Sequence, residues 1–491
     1  MERMRKDRDA CPQSNPNYKY FNQRYYRYKK MNSTFLNIIQ LRASKALNAI
    51  LMTAPFAACW FLYYMPLATE STTLMSRYMI LVLFIVLYTV YGKVYDAFLV
   101  SYYRISEMIY SQTLAVLVAD GVSYLVICMM AGRFLWIVPG VICIVGQIVL
   151  SIIWSTLIHS WYFSTFAPKK TVIIYDMREG MEKLIQEYGM SKKFQVLGTY
   201  PVEEALENIQ TILEGTDCIF LSGVHSHERN IFLKYCVSHD IRCYVIPRLG
   251  DVIMSGAKSI HMFHLPVLWV GRYSPSPEYL LVKRVFDVLV SGIALVILSP
   301  LMLICAIAIK SDGGPVLYKQ TRLTKDGKEF KVLKFRSMRV DAEKDGIARL
   351  STGDKDDRIT PAGKIIRKLR FDELPQLINI LRGDMSIVGP RPERPEIARQ
   401  YEEEMPEFAL RLQAKAGLTG LAQVYGQYNT TPYDKLNMDL MYIANPTLMQ
   451  DLRICFATVK ILFMPESTEG VAEGQTTAMS GSSEEKKEEA S

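Results

Sequence analysis

Beyond His264 the sequence has no histidine: all six lie in the first 264 of its 491 residues. Imidazole catalysis is thereby excluded from the C-terminal part, where a nucleophile or base must be a carboxylate, lysine, tyrosine or hydroxyl. The nine cysteines are scattered without a CxxC pair, and Cys59, Cys128, Cys143 and Cys305 lie inside apolar runs. They read as reduced core or lipid-facing thiols, not as zinc ligands or disulfides. No short apolar segment stands near the start, so a cleavable signal peptide is not expected. No nucleic-acid-binding motif accompanies the basic groups, so no nucleic-acid partner is expected either.

What is present is apolar sequence and positive charge, kept apart. Half of the residues are hydrophobic, 22% are charged, and the net charge is +8. That mixture implies long apolar runs, as in a membrane protein, with an anionic partner such as lipid headgroups or a nucleotide diphosphate. Four segments, near 47–67, 77–99, 109–131 and 134–158, each hold about the 20 residues that cross a core of roughly 30 Å. Basic residues crowd the arm at 1–45, and Lys169-Lys170 follow the fourth segment. The second loop carries Lys93 and Arg104, whereas the first and third hold little beyond Arg77 and Arg133. Four crossings at 46–160 then leave both ends in the cytoplasm. The arm suits an anionic inner leaflet, and equally a disordered basic tail. Asp120 in the third segment reads as a helix–helix polar contact, with a functional role as the other reading.

Residues 169–272 change character. TVIIYD, FQVLGTY, CIFLSG and CYVIP read as strands between helical stretches, the pattern of a small parallel α/β domain resembling a Rossmann half. The first strand runs into IIYDMREGM, so the glycine-rich turn of a dinucleotide site is missing and a structural or regulatory role is expected. His225 and His227 read as helix-start residues rather than metal ligands. SPSPEYL at 274–280 reads as a linker. Residues 281–310 are mainly apolar, with basic ends (Lys283-Arg284 and Lys310) and Ser299-Pro300 in the middle. An interior proline costs about 3 kcal/mol in a straight helix, and a fifth crossing would put the basic domain after 310 outside. A re-entrant helix–break–helix is therefore expected. Residues 311–466 form a mainly helical, membrane-associated domain, and 467–491 a disordered tail.

The chain is organised around TPAGKIIRKLRFDELPQLINILRGDMSIVGPRPERP, residues 360–395. Apolar residues at helical spacing (Ile365, Ile366, Leu369, then Leu374, Leu377, Ile378, Leu381) flank the adjacent carboxylates Asp372 and Glu373. Pro375 biases Leu374 away from helical angles, so the pair is expected at a break between two amphipathic helices. Cations surround it in sequence: Arg367, Lys368 and Arg370 before, Arg382, Arg391 and Arg394 after.

Four motifs in order, KFRSM (334–338), DELPQL (372–377), GDMSIVGPRP (383–392) and GLTGLAQV (417–424), resemble the signature of the bacterial sugar transferases. These are polyprenyl-phosphate sugar-phosphate transferases, also called monotopic phosphoglycosyl transferases. The resemblance covers about 281–464. It implies that Asp372 attacks the sugar-bearing phosphorus of a UDP-sugar, releasing UMP, and that polyprenyl phosphate then takes the phosphosugar from the enzyme. It further implies that Glu373 is a ligand for Mg²⁺ and that Lys334, Arg367 and Arg391 are active-site cations. Arg336 and Arg394 join them here as candidate phosphate ligands, since arginine binds phosphate through paired hydrogen bonds. The implied setting is the cytoplasmic face of a bacterial inner membrane, at the first membrane step of exopolysaccharide, capsule or O-antigen synthesis. Two departures bear on sugar and nucleotide contacts but leave the dyad intact: Gln427 stands where the family has arginine, and RKLRF precedes DEL. The other reading is a membrane-anchored regulatory or assembly scaffold with a degenerate transferase domain. The membrane and α/β domains offer surfaces for a homodimer.

Overall fold

The computed structural model describes residues 16–68, 74–273, 275–311, 313–339, 358–426 and 430–462. Gln427, Ser274, the first 15 residues of the arm and the tail at 467–491 lie outside them. The chain forms two compact units, Met1–Ala167 and Pro168–Ser491.

The first unit is helical: α1 (Pro16–Cys59), α2 (Leu74–Val94), α3 (Ile105–Ala131) and α4 (Val138–Thr165). Residues 16–45 are the start of α1, which continues through a π-helical turn at Trp60–Tyr64 and a last turn at Met65–Leu67. The second apolar segment stops being helical at Val94 rather than 99, because Asp96 turns left-handed (φ 57°). The fourth begins at Val138, with Pro139 in its first turn, where a missing N–H costs nothing. α1 packs on α2 and α4, and α3 packs on the same two. Beside buried aromatics such as Trp60 and Phe84, the interior holds polar groups while aliphatics face outward. Asp120, Ser123, Gln147, Ser151 and Ser155 are buried, while Ile142, Val145, Val149 and Leu157 are exposed. Polar side chains join the helices: Tyr88 Oη donates to Asn48 Oδ1 (2.6 Å), Gln147 Nε2 to the Met52 carbonyl (3.0 Å) and Ser151 Oγ to Gln112 Oε1 (2.8 Å). Polar contacts between helices with branched aliphatics outside are an arrangement that lipid favours.

The second unit opens with β1 (Lys169–Tyr175), α5 (Met181–Glu187), β2 (Phe194–Pro201), α6 (Val202–Glu207), α7 (Ile209–Leu213), β3 (Cys218–Ser222), α8 (Ser226–His239), β4 (Arg242–Val245) and α9 (Leu249–Ser255). The four strands pair in parallel in the order β2-β1-β3-β4, the Rossmann-like arrangement expected. Its core is Val172, Ile174, Ile219, Leu221 and Phe232. A hairpin follows that the sequence did not announce, β5 (Lys258–Met262) with β6 (Leu265–Trp269). Its turn residues, Phe263 and His264, are left-handed (φ 56° and 62°), where glycine or asparagine is the usual signal.

Lys193, just before β2, is buried. Burial, with Lys169 and Arg242 adding repulsion, pulls its ammonium down to about 7, against about 10.4 in an unfolded chain. Charging Lys193 therefore opposes folding. The penalty is full below about pH 7 and fades as pH rises toward 10.4, because the unfolded chain holds the proton through that window. Lys193→Met is expected to stabilise the protein by of order 1–3 kcal/mol at pH 6.5 and by much less at pH 10. Thermal unfolding of the full chain in detergent at both pH values reads this, and an equal shift at both would contradict it.

The remainder comprises α10 (Pro277–Lys310), β7 (Leu317–Leu323), β8 (Glu329–Phe335), α11 (Pro361–Lys368), α12 (Gln376–Arg382), β9 (Ser386–Val388), α13 (Pro395–Glu404), β10 (Gly417–Thr419), α14 (Leu421–Tyr425), α15 (Pro432–Ala444) and α16 (Leu448–Leu462). The expected linker ends at Ser276, whose hydroxyl caps α10 by accepting from Tyr279 N (3.3 Å). With α10, five helices among the described residues are long and apolar enough to cross a membrane. α10 stays helical across Ser299-Pro300. Pro300 lacks the N–H that would bond the Val296 carbonyl, and Ser299 Oγ donates to that carbonyl instead (2.8 Å).

β7 and β8 form a hairpin, and β9 and β10 pair in parallel. The second pairing brings two motifs together without side chains. A Cβ on Gly389 would stand 2.3 Å from the Lys415 carbonyl oxygen, and one on Gly417 would stand 2.1 Å from Gly389 N. Glycine is required there by contact.

Candidate active site

Asp372 and Glu373 lie on a single 3₁₀ turn, Phe371–Glu373, between α11 and α12. The junction predicted from periodicity is there, but its cause differs. Leu374 is right-handed helical (φ −56°, ψ −37°) despite preceding Pro375, and the chain breaks at left-handed Arg370 (φ 53°), just before the 3₁₀ turn that carries the dyad. Thr360 caps α11 by accepting from Gly363 N (3.0 Å). Phe371 and Leu374 anchor the turn against Cys305, Ile309, Phe335 and Ile366. On the outer side of α11, Ile365 and Leu369 are 64% and 51% exposed, an apolar stripe next to the dyad.

Lys334 on β8 and Arg391 on the loop after β9 converge on one oxygen of Glu373. Lys334 Nζ lies 3.0 Å and Arg391 Nη2 3.3 Å from Oε1. Asp372 has no hydrogen bond or ion pair among the described residues. The two acids respond in opposite directions to nearly the same surroundings. Burial raises the Glu373 carboxyl, but Lys334 and Arg391 outweigh it and hold the group well below the usual carboxylate range. Burial and the neighbouring Glu373 push Asp372 up, with Lys334, Arg367 and Arg391 pulling against them. Adjacent acids driven apart in this way are suited to separate tasks.

The loop carrying Arg391 is held from behind by residues that no motif pointed to. Arg411, buried, pairs with Asp439 (2.6 Å) and donates to the Arg391 carbonyl (2.9 Å). Arg322 donates to the Pro392 carbonyl (3.0 Å) and faces Glu393 at 3.7 Å. Burial pulls the Arg322 guanidinium down to about 10, with Glu393 opposing and Arg391 and Arg394 adding to the fall. Cations crowd this loop, as an anion site requires. Asn379 on α12 substitutes for a strand partner: Oδ1 accepts from Leu333 N (2.9 Å) and Nδ2 donates to the Lys331 carbonyl (3.0 Å), fixing β8 and Lys334 beside the dyad.

Of the other expected phosphate ligands, Arg367 lies at the end of α11, within electrostatic range of Asp372. Arg394 stands half-buried at the start of α13. Arg336 is placed differently. It is buried, with Nε on the Pro315 carbonyl (3.0 Å) and Nη2 on the Ile309 carbonyl (3.2 Å), and so it supports the end of α10. His225 pairs with Asp176 (2.5 Å) at the start of α8.

Among the described residues no group of three or more His, Cys, Asp or Glu could enclose a metal. Mg²⁺, however, commonly binds through one or two carboxylates together with phosphate oxygens and water. The dyad fits that mode. Both cations contact Glu373 Oε1, leaving Oε2 outside the two ion pairs, and Asp372 is unpaired.

The bacterial sugar transferase family model matches residues 278–465. The exopolysaccharide production protein PSS of Rhizobium leguminosarum bv. phaseoli is 44% identical over 190 residues, 37% of this chain and 94% of that protein. The UDP-glucose:undecaprenyl-phosphate glucose-1-phosphate transferase of Caulobacter vibrioides is 41% identical over 191 residues, 38% of this chain and 71% of its own. A UDP-N-acetylgalactosamine-undecaprenyl-phosphate N-acetylgalactosaminephosphotransferase of Aeromonas hydrophila is 38% identical over 235 residues, 47% of this chain; the chain spans about half (54%) of that relative. On these matches and the residues that carry them, the chain belongs to the bacterial sugar transferase family.

Proposed function

We propose that the protein is a phosphoglycosyl transferase that moves a sugar-1-phosphate from a UDP-sugar to polyprenyl (undecaprenyl) phosphate, through a covalent aspartyl-phosphosugar on Asp372. The observation that carries this reading is the asymmetry of the dyad: Glu373 is held by Lys334 and Arg391, whereas Asp372 is unpaired beside it. A carboxylate nearing a diphosphate meets repulsion of about 4 kcal/mol per charge pair at 4 Å and an effective dielectric near 20. Lys334, Arg367, Arg391 and Arg394 offset that repulsion. Asp372 forms the new O–P bond at the sugar-bearing phosphorus as the bond to UMP breaks and UMP leaves with the electron pair. An oxygen of polyprenyl phosphate then attacks the same phosphorus, and the Asp372 carboxylate departs unchanged. Glu373 would hold Mg²⁺, which when bound supplies further neutralisation of the diphosphate.

The proposed setting is the cytoplasmic face of a bacterial inner membrane, with α1–α4 crossing it and α10 dipping in and returning. The contacts of α10 support that path. Arg284 donates to the Ile380 and Leu381 carbonyls (2.7 and 2.8 Å) and Asp287 accepts from Ile387 N (3.0 Å). Near its other end, Ile309 packs on Phe335, two residues from the Leu333–Asn379 bond. Both ends of α10 therefore meet the same few residues around α12. A straight helix from Arg284 to Ile309 would separate them by about 37 Å.

Incubating the purified protein with UDP-sugars labelled at the sugar-bearing phosphate tests the reading. Label retained on Asp372 after denaturation, and chased off by polyprenyl phosphate, is the expected result. Transfer that requires both substrates together, with no adduct, would overturn the covalent route, and no transfer at all would favour a scaffold.

A further inference from the structure

The α/β domain takes no part in the chemistry above, and the Rhizobium relative matches this chain over 94% of its own length with only 37% of this sequence. The C-terminal edge of a parallel sheet ordinarily receives a ligand. Here the ends of β1 and β3 are bridged by side chains. Ser222 Oγ donates to the Arg178 carbonyl (2.8 Å), and His225 pairs with Asp176 across the β1 and β3 ends. What projects from the edge is Arg178, whose guanidinium makes a two-pronged pair with Asp434 in the first turn of α15 (2.7 and 3.0 Å). Further contacts follow the same helix. Leu249 N donates to Tyr433 Oη (3.3 Å) and Asn437 Nδ2 to the Pro247 carbonyl (3.4 Å), and a Cβ on Gly256 would stand 2.7 Å from the Ala444 carbonyl oxygen.

The same helix supports the catalytic loop from its other side. Asp439 fixes Arg411, which donates to the Arg391 carbonyl, and three residues on Tyr442 Oη donates to the Val388 carbonyl (3.3 Å). One 13-residue helix is thus gripped by the α/β domain at its start and tied to both flanks of Gly389-Pro390 farther along. We infer that the α/β domain sets the position of Arg391 through α15, with Arg178–Asp434 as the grip. Arg178 is a positioning residue for the transfer at Asp372. The inference rests on the function proposed above.

Arg178 is the side to change. Asp434 also belongs to the cap of α15, its N–H bonding Thr431 Oγ (3.1 Å) and its carboxylate accepting from that hydroxyl (2.8 Å). In single-turnover labelling of the full-length protein, Arg178→Glu is expected to slow adduct formation about tenfold with the labelled fraction unchanged, the size of effect carried through packed elements. Arg178→Lys, which keeps the charge but not the fork, is expected to recover most of the rate. A smaller labelled fraction at an unchanged rate would mean lost folded protein, and an unchanged rate and fraction would mean no coupling; either overturns the inference. Hydrogen exchange decides it independently of the covalent step. Amides of residues 386–394 should exchange faster in Arg178→Glu, and unaltered exchange there sinks the coupling even if the wild type takes no label.

Discussion

Asp372→Asn is expected to abolish labelling and to lower sugar-phosphate transfer by about 10⁴-fold or more, as for loss of a covalent nucleophile, while the protein still folds. Folding should even improve slightly. Asparagine matches aspartate in shape, Asp372 makes no ion pair, and its negative charge repels Glu373. The sign with pH follows. Burial and Glu373 raise the Asp372 carboxyl in the folded protein, so its ionisation opposes folding above the folded value and is neutral below the unfolded value of about 3.9. The variant's advantage, of order 1 kcal/mol or less, should be present at pH 7 and gone near pH 3.5. Transfer assays and thermal unfolding in detergent check both halves. Release of UMP by Asp372→Asn at the normal rate would refute the nucleophilic role.

Lys334→Met should be nearly as damaging, for an electrostatic reason. It removes one of two cations from Glu373 and part of the charge that lets a diphosphate approach, and a loss of about 10²–10³ in rate is expected. It also destabilises. Glu373 is held below the usual carboxylate range in the folded protein, so it contributes stability above about pH 4.3 that is lost as pH falls through the lower folded value. Lys334 is 21% exposed and Glu373 18%, so solvent screens the pair only partly. Arg391 remains at 3.3 Å as a second partner. The expected cost at pH 7 is about 1–3 kcal/mol, narrowing as pH drops through the carboxylate range. A variant with normal rate and normal stability would remove Lys334 from the site.

What could be read from the sequence was whatever rests on local pattern. The strands of the α/β domain fell within one or two residues of their places because short β-branched and aromatic runs alternate with polar helices. The dyad's junction was legible because apolar spacing stops and restarts around it. Its mechanism was not: a left-handed arginine carries no signal, whereas Pro375 carries a strong one that tertiary packing overrode. The β5–β6 hairpin was hidden for the same reason, its turn being built from Phe263 and His264. Lys334 and Arg336 are both cations in KFRSM, and only long-range contacts separate the one on Glu373 from the one on the end of α10. Asn379, Arg322 and Arg411 act through partners 20 to 70 residues away, which periodicity cannot reach.

The touching backbones at Gly389 and Gly417, with Gly420 as close to the Gly389 carbonyl oxygen (2.2 Å for an added Cβ), bear on how the proposed transfer could be redirected to a new donor. Backbone atoms fill that contact and leave no room for a side chain, so selection for a different donor should gain nothing by altering it. A library randomised at 389, 417 and 420 should return glycine at all three whichever donor is supplied, and changes of preference should map to side chains elsewhere.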